Sequence, residues 1–195
     1  MYWNSLLIPG FVQLRRSVTA NPMRPTHPPV WVLGSSDYGA QLAAHYGLPY
    51  AFDWFITDGQ GAKQALALYR SLYRPSPLQP KPEAVPCVRA LAADKEAEAW
   101  RQFSGRERWK IDRNRGVLGP LASPEELAFR PYSAGEQIDV DVLRSTALVG
   151  SGAQVAAKLR ALADQYDVAE LVVITWGHDA SARRRSCELL AAEFF

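Results

Sequence analysis

The sequence predicts an α/β fold in which parallel strands alternate with helices. Short apolar runs recur along the chain, segments with helical spacing of apolar residues separate them, and serine or aspartate precedes several of those segments. Strands that are joined by helices pair in parallel, so these elements form a sheet covered by helices. Ligand sites in such folds lie where strands end and helices begin.

The regular pattern starts after a proline-rich lead-in. Residues 1–27 are predicted to be irregular because proline breaks helices and removes a backbone donor, and residues 28–195 are predicted to form one domain. Apolar periodicity predicts the elements of its first half in the order strand, helix, strand, helix: Val30–Leu33, Asp37–Tyr46, Leu48–Phe55 and Ala62–Tyr73.

The second half continues the alternation around one irregular stretch. Asp94 is expected to cap a helix through Trp100 and Phe103, and the capping box Ser151–Gln154 and Asp179 are expected to open two later helices. Between residues 104 and 149 the periodicity fails, and five basic residues crowd between Arg106 and Arg115. This stretch is predicted to be a long loop, either a lid or an exposed basic segment. The remaining strands are predicted over Val85–Ala92 and Leu171–Thr175.

Composition narrows the classes of partner. The 22 basic residues nearly balance the 20 acidic ones, which argues against a nucleic-acid partner. No metal or disulfide spacing is found among the two cysteines, Cys87 and Cys187, and the three histidines. We therefore expect that the protein has no metal site and resides in the reducing cytoplasm. No apolar run approaches the roughly 20 residues that cross a bilayer, so no membrane contact is expected.

The turn Gly34–Gly39 is the clearest candidate site. Glycine permits close backbone approach, Ser35 and Ser36 offer hydroxyl donors, and the following helix start presents free N–H groups, so the turn suits an anion such as phosphate. A serine that only caps the helix is the plain alternative. A nicotinamide site is a competing interpretation because Asp53 stands near a ribose-binding position, yet the G-x-G-x-x-G fingerprint is absent.

Longer stretches carry a family resemblance. The run V-W-V-L-G-S-S-D-Y-G-A-Q-L-A-A-H-Y-G-L-P-Y-A-F resembles the fifth strand, phosphate turn and sixth strand of the bacterial luciferase-like flavin monooxygenases. The later runs L-V-G-S-G-A-Q-V-A-A-K-L-R-A-L-A, A-E-L-V-V-I-T and H-D-A-S-A-R-R-R-S-C-E-L-L-A resemble the last helix, strand and helix of the same barrel. The resemblance covers about residues 28–195.

The resemblance implies half of a (β/α)8 barrel that binds reduced flavin at the carboxyl ends of its strands. A whole barrel needs about 250 residues, so this half is expected to be a fragment, a truncated product, or a half barrel completed by a homodimer. Catalytic residues are expected in the other half and are not assigned. Gly39 stands where a hydroxyl residue is usual, and Gly152 where proline is usual. The flavin phosphate would contact Gly34, Ser35, Ser36, Asp37, Tyr38 and Gly39, with Ser36 as the main contact.

The function that the resemblance implies is monooxygenation of a small organic substrate by reduced flavin and dioxygen. The expected cofactor is FMN reduced by a partner reductase, with the deazaflavin F420 as the alternative. A half barrel without cofactor or activity, and more distantly a nicotinamide oxidoreductase, are the alternative functions. Each pocket candidate also has a structural interpretation, as a core aromatic or a capped turn: Asp53, Trp54, Phe55, Trp176 and His178.

Overall fold

The computed structural model describes residues 29–77 and 79–195, which group into two compact units. The first unit holds the described residues up to Phe52 together with Lys63–Ala84, and the second holds Asp53–Ala62 and Val85–Phe195. The lead-in predicted over residues 1–27 lies outside the described residues.

The elements alternate between strands and helices along the chain. In order they are β1 (Val32–Gly34), α1 (Asp37–Tyr46), β2 (Tyr50–Phe52), α2 (Trp54–Thr57), α3 (Ala62–Leu72), β3 (Ala84–Ala93), α4 (Glu96–Asn114), α5 (Pro124–Leu127), α6 (Ala134–Ser145), β4 (Leu148–Ser151), α7 (Gly152–Tyr166), β5 (Val172–Ile174) and α8 (Ala180–Phe194).

The first unit is built around the parallel pair β1 and β2, in which Val32 lies opposite Tyr50. Helix α1 packs closely on this pair because its inner face is made of small residues, Ala40, Ala43 and Ala44, all fully buried. The helix ends at Gly47, whose φ of 58° and contact with the Arg74 carbonyl leave no room for a side chain.

The second unit is built around the long strand β3. Its middle residues, Cys87–Arg89, pair in parallel with Val172–Ile174 of β5, and its last four residues, Ala90–Ala93, pair in parallel with Leu148–Ser151 of β4. An apolar core joins strands β3 and β4 to helices α4 and α6: Leu91, Ala93, Ala99, Phe103, Leu143 and Val149. The predicted α/β class with parallel strands is confirmed.

Two of the predicted helix starts are confirmed in detail. The Ser151 hydroxyl accepts a hydrogen bond from the Gln154 N–H at 3.3 Å, and the Ser151 N–H donates to Gln154 Oε1 at 2.8 Å. Asp179 Oδ1 accepts from the Ser181 N–H at 2.7 Å. Each side chain satisfies N–H groups that a helix start leaves without an internal partner.

Three local predictions are wrong. Residues 104–149 are not a long loop, because the rest of helix α4, helices α5 and α6 and the first two residues of β4 occupy much of that stretch. Asp94 does not cap α4: Lys95 is the N-cap residue, and the Asp94 carboxylate accepts hydrogen bonds from Arg185 instead. The second strand ends at Phe52, so Trp54 and Phe55 lie in helix α2 and not at a strand end.

In the described part of the chain, no helix has both the length and the apolar character that crossing a bilayer requires.

Candidate functional site

The turn between β1 and α1 presents its polar groups to solvent. Ser36 is the N-cap residue of α1, with extended backbone at φ −137° and ψ 164°, and its side chain makes no capping hydrogen bond. Ser36 is exposed and Ser35 is half-buried. The interpretation of Ser36 as a side-chain cap is therefore wrong, and its hydroxyl stands beside the N–H groups that open the helix.

Tyr50, on strand β2, contacts the backbone of this turn through its hydroxyl. Its hydroxyl donates to the carbonyl oxygen of Gly34 at 3.0 Å, with that of Ser36 at 3.4 Å, so the β2 strand holds both ends of the Ser35–Ser36 bend. A Cβ atom on Gly39 would lie 3.5 Å from the Gly34 Cα, an ordinary contact. The absence of a hydroxyl residue at Gly39 is therefore not imposed by packing.

The two remaining residues of the turn point to different surroundings. Asp37 Oδ2 accepts a hydrogen bond from Gln64 Nε2 at 2.7 Å, which ties the start of α1 to helix α3. Tyr38 is 74% exposed, so its ring is available to a ligand bound at the turn.

The second unit contains a cluster of cationic and aromatic side chains. Asp58 ends α2, Arg89 lies in the middle of β3, and Trp176 follows β5, while the other members come from α4. We call this group the arginine–tryptophan cluster: Asp58, Arg89, Arg106, Trp109, Lys110 and Trp176.

Stacking organises the aromatic part of the cluster. The indoles of Trp109 and Trp176 meet edge to face, with ring centroids 5.0 Å apart. The guanidinium of Arg89 lies 4.4 Å from the centre of the Trp176 ring, and that of Arg106 lies 5.2 Å from the Trp109 ring. Both distances lie within the range of attractive cation–π contacts.

The charges of the cluster surround Asp58 without hydrogen-bonding to it. Arg89 Nη1 and Arg106 Nη2 are each 4.0 Å from Asp58 Oδ1, and Lys110 Nζ is 3.6 Å from Oδ2. Burial, together with the nearby charge of Arg106, lowers the pKa of Arg89 to about 9. Burial also lowers the pKa of Arg106. Neither arginine has its charge fully compensated.

The residues predicted to line the pocket have different surroundings in the structure. Trp176 belongs to the cluster, whereas Trp54 is buried and its Nε1 donates to the Tyr166 hydroxyl at 3.4 Å, as a core residue does. Asp53 is buried, and its Oδ1 has no hydrogen-bond partner among the described residues. Burial raises the pKa of Asp53. Phe55 is half-buried.

His178 lies at the surface. Its Nδ1 is 2.9 Å from the carbonyl oxygen of Leu121, a contact that holds the turn before α8 against the segment before α5. Its predicted role in the pocket stays a prediction.

Sequence reasoning missed most of the cluster, although signals were present. Arg89 is a charged residue inside the otherwise apolar strand A-V-P-C-V-R-A-L-A-A, which is unusual for a buried strand. Arg106 and Trp109 are three residues apart, the spacing of neighbours on one helix face. No pattern in the sequence indicates Asp58 as a site residue. Within the described residues, no group of three or more histidine, cysteine or acidic side chains is arranged to hold a metal ion.

Comparison with known proteins defines the class. The family model of luciferase-like monooxygenases matches residues 9–167, and the chain belongs to this family. A luciferase-like monooxygenase of Escherichia coli K12 is 38% identical over 161 residues, which are 83% of this chain and 48% of that protein.

Solved structures agree with the fold. The crystal structure of apo-MsnO8 is 30% identical, with a TM-score of 0.71 over 91% of this chain and 54% of that chain. The oxygenating component of 3,6-diketocamphane monooxygenase from Pseudomonas putida, solved with FMN, is 18% identical with a TM-score of 0.51 and shows the fold alone, over 86% of this chain and 48% of its own. The chain spans about half the length of these relatives. Its fold matches part of a luciferase-like barrel.

Proposed function

We propose that this chain contributes the flavin-phosphate half of a flavin-dependent monooxygenase, which uses reduced flavin and dioxygen to oxidise a small organic substrate. Membership of the luciferase-like monooxygenase family supports the reaction class. FMN is proposed over a deazaflavin on the family resemblance, and the FMN in the solved diketocamphane monooxygenase component is consistent with this preference. Reduction of the flavin by a separate enzyme and completion of the barrel by a second copy belong to the same proposal.

The single observation that carries the proposal is the uncapped start of α1. Helix α1 is 10 residues long, so its positive dipole end can act on an anion, and the exposed Ser36 hydroxyl is not used by the helix itself. Tyr50 holds the two backbone carbonyls of the turn and keeps the bend rigid. These groups fit a phosphate, which accepts hydrogen bonds from amide and hydroxyl donors together.

The α1 turn would act on the cofactor by binding and not by chemistry. A bound flavin would supply the oxygen chemistry, and the α1 turn would anchor its phosphate tail.

Titration of the folded chain with FMN tests the proposal. We expect wild-type protein to change the flavin fluorescence, and Ser36→Asp to weaken binding about tenfold or more, because the new carboxylate repels the phosphate. Ser71→Asp is the matched control: it adds the same charge at an exposed serine of the first unit and should leave affinity within about twofold.

Two results would contradict the proposal. One is a folded wild-type chain that does not bind FMN, which would favour the half barrel without cofactor. The other is equal FMN affinity in the wild type, Ser36→Asp and Ser71→Asp, which would remove the α1 turn from the binding site.

A further inference from the structure

We propose that the arginine–tryptophan cluster binds a small organic oxyanion, with the carboxylate, sulfonate or phosphate group held by Arg89 and Arg106. The assignment of this anion as the substrate of the oxygenation rests on the proposed function. The binding of an anion does not.

The cluster has an excess of positive charge. Among the described residues, Asp58 is the one carboxylate within 4.0 Å of Arg89, Arg106 and Lys110. Arg113 adds a further cation beside Trp109, with its guanidinium 5.1 Å from the ring. Three cations therefore share one carboxylate. The side chains of Arg89 and Arg106 are only 10% and 3% exposed, so water screens their charges little.

The guanidinium groups also have unused donors. Within the described residues, Nε of Arg89 and both Nε and Nη1 of Arg106 are buried without a hydrogen-bond partner. A stacked arginine uses its flat face on the indole, whereas its N–H groups project from the edge of the plane. The contacts with the rings of Trp176 and Trp109 are not hydrogen bonds, so these donors have no acceptor among the described residues. A planar or tetrahedral oxyanion matches the edge of a guanidinium with two parallel hydrogen bonds.

A neighbouring cavity indicates what the anion is attached to. It measures about 380 Å³, within the range of small-molecule sites, and Asp58 and Lys110 of the cluster line it. Its apolar wall includes Ile56, Ile111 and Val140. Thr57 also lines it, and the buried Thr57 hydroxyl has no hydrogen-bond partner in the described part of the chain.

The carboxylates that line this cavity restrict where an anionic group can bind. Glu107 lines the cavity but is already bound to Arg144, and Asp139 also lines it without an ion pair within 4.0 Å among the described residues. The anionic group would therefore sit at the guanidinium groups of Arg89 and Arg106, which do not line the cavity, and an aliphatic or aromatic body would extend past Asp58 and Lys110 into it. The ligand class is an amphiphilic organic acid.

A purely structural role explains the cluster less well. Replacing a buried ionic group by an apolar one of similar volume is often neutral or stabilising, so packing alone does not require two buried arginines. Unsatisfied buried donors carry a cost that a bound acceptor removes. The cluster has the composition of a ligand site.

The test uses hexanesulfonate and hexanoate as probes at constant ionic strength. Binding to the full chain is measured by titration calorimetry and by tryptophan fluorescence, because Trp109 and Trp176 lie in the cluster. We expect Arg106→Met and Arg89→Met each to weaken hexanesulfonate binding about tenfold or more. The control, Arg101→Met, removes an exposed arginine of the same helix and should stay within about twofold.

Several results separate the possibilities. No binding of either probe to the folded wild type overturns the proposal, as does equal binding by all the variants. If Arg106→Met does not fold, as judged by circular dichroism, Arg89→Met carries the comparison. An FMN titration of the same samples distinguishes the two proposals. Probe binding without FMN binding supports the anion site and removes its link to oxygenation, whereas FMN binding without probe binding overturns the anion site alone.

Discussion

Helix α4 carries buried charges in two contrasting settings. Glu107 is fully buried, and its carboxylate accepts hydrogen bonds from Arg144 at 2.6 and 3.0 Å and from the Tyr132 hydroxyl at 3.0 Å. Arg106, the preceding residue, is equally buried but lies 4.0 Å from its nearest carboxylate, Asp58. The first arrangement pairs a buried charge at hydrogen-bond distance, whereas the second leaves a buried charge without a hydrogen-bonded carboxylate.

A second compensated group shows the same contrast. Arg108 Nη1 donates to Glu136 Oε1 at 2.9 Å, and Arg115 Nη1 donates to the same oxygen at 2.7 Å. The other oxygen of Glu136 accepts from the Ser133 N–H at 2.8 Å and completes the capping box of α6. Buried structural charge on this helix is thus paired at hydrogen-bond distance, which makes the arrangement at Arg106 an exception.

Glu107→Ala has the largest expected effect. Removing the carboxylate leaves Tyr132 and Arg144 without their acceptor, so we expect a loss of about 2 to 3 kcal/mol in the free energy of unfolding, measured by urea denaturation. The loss stays at the lower end because the Arg144 side chain is 42% exposed and can be rehydrated. Glu125→Ala, which removes the exposed partner of Arg101, is the control and should cost less than about 0.5 kcal/mol. Equal losses in the two variants would contradict the contrast between buried and exposed pairs.

These pairs also explain which parts of the molecule could be predicted from sequence. The alternation of strands and helices and the capping box at Ser151 follow from local patterns, so they were predicted correctly. The predicted helix reaches only Phe103, whereas α4 continues to Asn114. Periodicity treats charged residues as exposed, but Arg106, Glu107 and Arg108 are buried by partners far along the chain. Such pairing depends on tertiary contacts that local sequence does not contain.

The two candidate sites differ in the same respect. The α1 turn is made of consecutive residues, so its glycine and serines could be recognised directly. The arginine–tryptophan cluster is assembled from α2, β3, α4 and the segment after β5, and of its members only Trp176 was predicted as a pocket residue.

The Glu136 group gives a smaller effect that depends on pH. Hydrogen bonds from the Ser133 N–H and from Arg108 lower the pKa of Glu136 to about 2. A folded pKa below the unfolded value of about 4.3 means that the carboxylate stabilises the fold above that pH and loses this contribution as pH falls toward 2. We expect Glu136→Gln to be less stable than wild type at pH 6 and the difference to shrink between about pH 4.5 and 3.

Urea denaturation of both proteins over this pH range measures the difference. A gap in unfolding free energy that stays constant from pH 6 to pH 3 would show that the Glu136 charge is not what stabilises the start of α6.

The stability of Arg106→Met without any added anion shows whether the fold depends on the charge of Arg106. If the fold does not use the charge of Arg106, the free energy of unfolding should stay within about 1 kcal/mol of wild type or rise, because the variant removes unsatisfied donors and like-charge repulsion. A loss as large as that expected for Glu107→Ala, about 2 to 3 kcal/mol, would contradict the claim and place Arg106 among the structural charges of α4.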